Sequence, residues 1–244
     1  MHLLGGVALT GLLCLVGAAG PSGALAAPGG QMTWAVHTTL VPAWFDPADN
    51  IQATPFLIQN ALHDAVVLRN GARFHNGDPV TADDVKFSFE RYRGNLAKAL
   101  KERVAAVETP DPARVRVRLK QPWPDFMTFH GTRVTGAAWI VPRKYLEKVG
   151  DDGFRKAPVG AGPYRFVSFT PGVELVVEAF EQYWRKVPHV KRLVFRVVPD
   201  HATRVAALKR GEVDVVYLVS GEMADDVRRT PGLSIKSVIR RITG

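Results

Sequence analysis

Residue types that perform catalysis or bind metals occur in this 244-residue chain, but not at productive spacings. The seven histidines form no pair at helical or turn spacing, so we expect no zinc site. The Gly-x-Ser-x-Gly motif of acyl-transfer nucleophiles is missing from the sequence. Two adjacent acidic pairs, Asp83/Asp84 and Asp225/Asp226, would point about 100° apart on a helix and could not easily share a substrate. The sequence therefore predicts no catalytic residue, no metal and no other cofactor, and a secreted enzyme is the weaker alternative.

Charge distribution bears on the class of partner. The net charge of +9 and the pI of about 9.9 are compatible with nucleic-acid binding. The basic residues, however, are spread along the whole chain. Arg114, Arg116, Arg118 and Lys120 alternate with apolar residues, which predicts a half-buried strand with a basic outer face. Such a face could hold phosphates, but a solvated face is the better interpretation, and we expect no nucleic-acid partner.

The N-terminal segment has the pattern of an export signal. Residues 3–19 are almost wholly apolar or glycine, and about 17 residues is short for a membrane span. Ala24-Leu25-Ala26 supplies a small-x-small cleavage site, so we predict a signal peptide over residues 1–26 and a periplasmic mature chain that starts at Ala27. A lipoprotein anchored at Cys14 is the alternative, which the bulky Leu13 disfavours. Cys14 is the single cysteine, so the mature chain would have no disulfide.

The stretch from Val66 to Gly94 predicts a compact strand, turn and helix unit. Val66 to Leu68 is typical of a short strand, and two Asn-Gly dipeptides mark tight turns at Gly71 and Gly77. Thr81 is a helix N-cap, and Asp84 is spaced to reach back to the Thr81 amide in a capping box. One apolar helix face is predicted, and Gly94 is placed to end the helix. The residues of that face are Val85, Phe89 and Tyr92.

A second compact motif spans residues 157–164, with the sequence APVGAGPY. Its two prolines and two glycines predict a rigid chain crossing, with a positive φ at Gly160 or Gly162. No helix follows the motif, so it is not a dinucleotide-binding fingerprint.

These motifs closely resemble the signature of extracellular solute-binding proteins of the peptide/nickel class, family five, which serve ATP-driven importers. The resemblance extends to Tyr183-Trp184 and to the block from Asp200 to Asp214. The signature residues that this chain shares with the family are Arg69, Gly71, Phe74, His75, Gly77, Thr81, Asp84, Val85, Gly160, Gly162 and Pro163.

The resemblance implies an α/β fold with mixed sheets and flanking helices, the first lobe of a class II periplasmic-binding-protein fold. It covers the N-terminal half of the family's usual length, so we expect the second lobe to be absent. The implied divisions are the start of lobe I over residues 27–65, an extra subdomain over 66–150, and a return to lobe I over 151–244. Local patterns predict strands at Met32–Val36, Val104–Val107, Val115–Leu119, Trp139–Val141, Tyr164–Phe169, Val173–Val177, Leu193–Val198 and Leu233–Ile239. They predict helices at Pro55–His63, Arg143–Val149, Asp200–Gly211 and Glu222–Arg229. The helix after Asp200 is expected to bury Ala202, Val205, Ala206 and Leu208.

The function that the resemblance implies is capture of peptides or similar small solutes by a monomer that delivers them to ABC permease subunits. In the family, the loop after the first strand lines the ligand cleft. The corresponding residues here are Thr38, Thr39, Leu40, Trp44 and Phe45. Trp44 and Phe45 would stack on a ligand or, equally well, anchor the loop on the core. The chain departs from the family at Ala65, which runs straight into Val66 without the usual intervening hairpin. A truncated, non-functional remnant of such a protein is therefore the main alternative.

Overall fold

The computed structural model describes residues 27–49, 56–64, 71–131, 136–217, 219 and 221–236. The predicted signal peptide, the Val66–Leu68 strand, Arg69 and the end of the predicted last strand lie outside the described residues. The strands are β1 (Gly29–Val36), β2 (Val104–Asp111), β3 (Arg114–Leu119), β4 (Tyr164–Thr170), β5 (Glu174–Ala179), β6 (Val190–Val197) and β7 (Val215–Val216). The helices are α1 (Phe56–Leu62), α2 (Ala82–Arg91), α3 (Ala97–Arg103), α4 (Phe126–His130), α5 (Arg143–Lys156), α6 (His201–Lys209) and α7 (Glu222–Arg229), with short 3-10 turns at Pro42–Phe45 and Pro47–Asp49.

The larger sheet has the strand order β4-β5-β6-β1-β7. β1 runs parallel to β6 and β7, whereas the pairs β4–β5 and β5–β6 are antiparallel. One face of this sheet packs against α1 and the loop after β1, where the core includes Leu62, Leu175 and Phe195. On the other face, Ala35 packs against Ala207 of α6. Burial on both faces explains the apolar run in β6.

The smaller sheet is the β2–β3 hairpin. Its apolar side chains pack with Phe89, Tyr92 and Leu100 from α2 and α3. The basic residues of β3 alternate outward, as the sequence predicts, and three of them pair with nearby acids: Arg116 and Arg118 with Glu108, and Arg114 with Asp111. This pairing compensates much of the basic face, as expected for a solvated surface.

Helix α2 begins with the predicted capping box. The Thr81 amide donates to Asp84 Oδ2 at 2.8 Å, and the Asp84 amide donates to Thr81 Oγ1 at 3.4 Å. The helix ends at Arg91 rather than at Gly94, since Tyr92 is buried with a non-helical ψ of 126° and the Arg93 amide donates to Ala48 O. Phe89 and Tyr92 share one cluster, but Val85 packs into another with Phe74, so the predicted single face is split.

Gly150 has a φ of 70° and a ψ of 175°, so it ends the first helical segment of α5 as predicted, and a second segment follows directly to Lys156. Three other local predictions need correction. Trp139–Val141 is buried but forms no strand, and residues 233–236 form no strand either. In α6, Ala202 is exposed and Arg204 is buried in its place, because the guanidinium donates to backbone carbonyls before the helix. Among the described residues, no helix is both long enough and apolar enough to span a membrane.

Candidate functional site

The carboxyl ends of the parallel strands β1, β6 and β7 lie along one edge of the larger sheet. In open α/β sheets, ligands bind in the crevice outside such carboxyl ends. The chain segments that leave the strands here begin at His37, Val198 and Tyr217. Val41 and Val173 expose apolar surface on the adjoining loops. We call this region, defined by these five positions and Thr38–Thr39, the carboxyl edge.

The loop after β1 contributes fewer solvent-facing side chains than the sequence predicts. Leu40 and Phe45 are buried in the core, and Phe45 packs edge-on against Phe169 with ring centroids 5.0 Å apart. A ligand cannot stack on Phe45 in this structure, so the anchoring alternative is correct for this residue, and Leu40 is likewise an anchor. Thr39 is exposed, whereas Thr38 and Trp44 are half-buried. These three residues are therefore the members of the predicted set that a solute can reach.

A buried ion pair fixes the end of this loop. Both carboxylate oxygens of Asp46, which is fully buried, accept hydrogen bonds from the Arg91 guanidinium of α2, and Arg91 also donates to Asp151 at 2.8 Å. Burial opposes the charge on Arg91, but the bonds to Asp46 and Asp151 outweigh it and raise the pKa of Arg91. The network joins the loop to α2 and α5, and the sequence analysis did not identify it.

His63 holds the same loop from the α1 side. Its Nε2 lies 2.9 Å from the Phe45 carbonyl oxygen, and Gln59 Nε2 donates to the Asp46 carbonyl at 3.4 Å. Burial lowers the pKa of His63 to about 4, so the neutral ring donates through Nε2. The loop thus reaches the carboxyl edge in a preorganised conformation.

The signature residue His75 links its own segment to the motif at residues 157–164 through three hydrogen bonds. The His75 amide donates to the Gly160 carbonyl at 2.9 Å, the Gly160 amide donates to His75 Nδ1 at 3.2 Å, and His75 Nε2 lies 3.0 Å from the Gly162 carbonyl. Burial lowers the pKa of His75 to about 3, which keeps the ring in the neutral form that accepts at one nitrogen and donates at the other. The predicted turn at Gly77 has a φ of 88° and reverses the chain, so that Pro79 pairs with Arg73 in an antiparallel bridge.

Gly160 and Gly162 are glycines for a different reason from the predicted one. Neither adopts a positive φ. Instead, a Cβ on Gly160 would lie 1.9 Å from the Leu62 carbonyl oxygen, and a Cβ on Gly162 would lie 2.5 Å from the Leu62 carbonyl carbon. The Gly162 amide donates to Leu62 O at 3.1 Å, and Pro163 O accepts from the Phe180 amide at 2.9 Å. The two glycines therefore allow the backbone of residues 160–162 to pack directly against the backbone at the end of α1.

Asp64, immediately after His63, secures the next segment of the chain. Its buried carboxylate accepts hydrogen bonds from the Tyr183 hydroxyl at 2.7 Å and from Trp184 Nε1 at 3.0 Å. The aromatic pair noted in the sequence is therefore a fastening between α1 and the β5–β6 connection.

Aromatic side chains that the sequence analysis missed lie at the carboxyl edge. The rings of His37 and Tyr217 meet edge-on at 5.0 Å, and Trp34 lies edge-on to Tyr217 at 6.3 Å. Burial raises the pKa of Tyr217, and the nearby Arg204 charge partly offsets this increase. The sequence signal that could have identified Tyr217 is its position directly after the short apolar strand β7. Within the described residues, no three side chains of histidine, cysteine, aspartate or glutamate are grouped so as to hold a metal ion.

A mixed sheet with a preorganised loop and polar aromatics at its carboxyl edge defines the class of protein: the fold is that of one lobe of a periplasmic binding protein. The chain belongs to the bacterial extracellular solute-binding proteins, family 5, whose middle-region model matches residues 60–243.

The chain is 31% identical over 160 residues to a putative ABC transporter peptide-binding protein of Brucella ovis, covering 63% of this chain and 30% of that protein. It is 32% identical over 180 residues to a glutathione-binding protein of Salmonella choleraesuis, covering 70% and 33%. The chain thus spans about a third of the length of these curated relatives.

Solved structures with the same fold include the binding protein AgaA of A. tumefaciens in complex with agropinic acid. It has a TM-score of 0.70 and 25% identity, with 83% of this chain and 46% of AgaA covered. The Helicobacter pylori protein DppA in complex with the peptide STSA also has a TM-score of 0.70, with 19% identity and 83% and 49% coverage.

Proposed function

We propose that this chain is the solute-binding component of an ABC importer and captures peptides or similar small solutes at the carboxyl edge. The observation that carries the proposal is the loop after β1, which Asp46–Arg91 and His63 hold rigidly where the parallel strands end. A preorganised site avoids the entropic cost of ordering a loop on binding. The named solutes of the relatives, peptides, glutathione and agropinic acid, support small organic solutes as the class.

The proposed contacts are Thr38, Thr39 and Trp44. The threonine hydroxyls would hydrogen-bond polar groups of the solute, and the half-buried Trp44 would offer apolar surface.

The proposed setting follows from the family. The chain would act as a periplasmic monomer after removal of residues 1–26 and would deliver its solute to permease subunits at the inner membrane. We also propose the divisions at residues 27–65, 66–150 and 151–244, which agree with the separate clusters around the two sheets.

We further propose that the chain is not an enzyme. Three of the four acids in the pairs Asp83/Asp84 and Asp225/Asp226 have structural partners: Asp84 caps α2, Asp225 pairs with Arg228, and Asp226 pairs with Lys209.

Saturation-transfer NMR of the full chain with pooled di- to pentapeptides tests the proposal, because it detects weak as well as tight binding. We expect transfer to bound peptides, and we expect Thr39→Tyr to abolish it by blocking the edge. Thr128→Tyr, at an exposed position on α4, is the matched control and should leave binding intact. Folded protein without transfer to any peptide pool would contradict the proposal and favour the remnant alternative.

A further inference from the structure

Arg204 is a buried cation that forms no salt bridge within the described residues. Its side chain lies in α6, the residue is 3% exposed, and Nη1 donates to the carbonyl oxygens of Val198 and Pro199 at 2.8 and 2.9 Å. Nε has no hydrogen-bond partner, and no carboxylate in the described part of the chain pairs with the guanidinium. Burying a charge without a counter-charge is costly, so an anion that reached this group would be strongly favoured.

The acids nearest in sequence are already engaged. Asp200, on the loop between β6 and α6, caps the helix by accepting from the Thr203 amide at 2.7 Å. Hydrogen bonds from the Thr203 side chain and amide lower the pKa of the exposed Asp200 carboxyl, and the Arg204 charge makes a smaller contribution in the same direction. Asp214 directly precedes β7 and accepts from the amide of Thr33, in the middle of β1. Among the described residues, neither carboxylate therefore forms a direct ion pair with Arg204, and the Asp200 charge acts on it only across the exposed surface.

The surroundings of Arg204 contain further unused hydrogen-bonding atoms. Its charge acts on Tyr217, whose ring contacts both His37 and Trp34. Trp34 Nε1 and His37 Nδ1 are buried, and neither has a hydrogen-bond partner among the described residues. Trp34 Nε1 can only donate, and a buried donor without an acceptor loses free energy that a ligand oxygen would restore.

We propose that the carboxyl edge receives a carboxylate of the solute, which binds toward Arg204 and Tyr217 beside His37 and Trp34. This inference rests on the proposed function, because it specifies the chemical class of solute at the same site. The planar guanidinium fork matches the geometry of a carboxylate, and the tyrosine hydroxyl supplies an additional donor. A neutral solute of the same size would leave the buried guanidinium without a direct ion pair.

The first test compares two tripeptide libraries by saturation-transfer titration of the full chain. One library has free C-terminal carboxylates and no acidic side chains, and the other is the same library with amidated C-termini. We expect the free acids to bind about tenfold more tightly, as for loss of one charge-assisted hydrogen bond. Arg204→Gln should remove this preference. Arg192→Gln removes the same charge from an exposed position near the start of β6 and should retain it.

A melting curve checks that Arg204→Gln is folded. If it is not, Tyr217→Phe keeps the ring packing and should reduce the preference for the free acids. Equal affinity for acids and amides in the wild type would overturn the inference but leave the proposed function standing. A preference for free acids that persists in every folded variant, Tyr217→Phe included, would also overturn the inference.

A second test does not require the proposed function. Thermal unfolding is followed in sodium acetate and in sodium chloride at equal ionic strength. We expect acetate to raise the melting temperature of the wild type saturably relative to chloride, an effect lost in Arg204→Gln and retained in Arg192→Gln. If neither library binds, the proposed function fails for peptides and the acetate response alone decides the inference. An equal acetate response in wild type and Arg204→Gln would contradict it.

Discussion

Gly162→Ala should destabilise the fold severely through a clash between two backbones. The new Cβ would lie 2.5 Å from the Leu62 carbonyl carbon and 2.6 Å from both the Ala61 oxygen and the His63 nitrogen. Apolar contacts normally settle at about 3.5 to 4.0 Å, so the turn and the end of α1 would have to separate by about 1 Å. Rotation of a side chain cannot relieve these contacts, because every clashing atom belongs to the backbone.

The cost can be worked out from the bonds that this separation breaks. Gly162 donates to Leu62 O at 3.1 Å, and its carbonyl lies 3.0 Å from His75 Nε2. Each lost hydrogen bond costs about 1 kcal/mol and overpacking adds about 1 to 3 kcal/mol, which together predict a loss of about 3 to 5 kcal/mol in the free energy of unfolding. Valine at Gly160 or Gly162 should cost at least as much.

Urea unfolding followed by tryptophan fluorescence and far-UV circular dichroism measures this loss. Gly29→Ala is the matched control, since Gly29 lies in β1 with a negative φ and no atom within 4 Å of its built Cβ. We expect that control to change stability by less than about 0.5 kcal/mol. A loss below about 1 kcal/mol for Gly162→Ala, or an equal loss in both variants, would refute the close-approach argument.

Three further predictions follow from the loop anchors, the buried histidines and the N-terminal segment. Arg91→Met should lower the free energy of unfolding in urea by about 3 to 5 kcal/mol, because it leaves the buried Asp46 carboxylate without its partner. Lys86→Met, which removes an exposed charge from the same helix, should lower it by less than about 1 kcal/mol. Similar losses in the two variants would contradict the buried ion pair. Stability should be highest above pH 6.5 and fall as the pH is lowered, because the unfolded chain takes up protons that the buried rings of His63, His75 and His130 do not accept in the folded state. The loss extends to about pH 4 for His63 and His130 and to about pH 3 for His75. At pH 5 each ring contributes about 2 kcal/mol of loss, and a flat profile would show that the rings titrate normally. Their pKa values are lowered to about 4 for His63, about 3 for His75 and about 4 for His130. Mass spectrometry of envelope protein should find a mature N-terminus at Ala27, and an intact Met1 form in the cytoplasm would contradict export.

Features that depend on a few neighbouring residues were predictable from the sequence. The Thr81–Asp84 capping box, the alternation of β3 and the Asp200 cap each need contacts only within one turn or one strand. Local geometry sets these outcomes, because rotamers, φ values and hydrogen bonds to the next turn hardly depend on the rest of the chain.

Other features exist only because distant segments meet. Asp46 and Arg91 are 45 positions apart, and His75 and Gly162 are 87 apart. Gly160 and Gly162 indicate positive φ when considered alone, but the approach of Leu62 is what excludes a side chain. Likewise, Phe45 is a core residue only because the loop after β1 folds onto the sheet. His37, Tyr217 and Arg204 lie at one edge because β1 pairs in parallel with β6 and β7. The sequence by itself determined most of the helices and strands and the family, whereas tertiary packing decided which side chains the edge exposes, since burial and long-range pairing are properties of the assembled sheet.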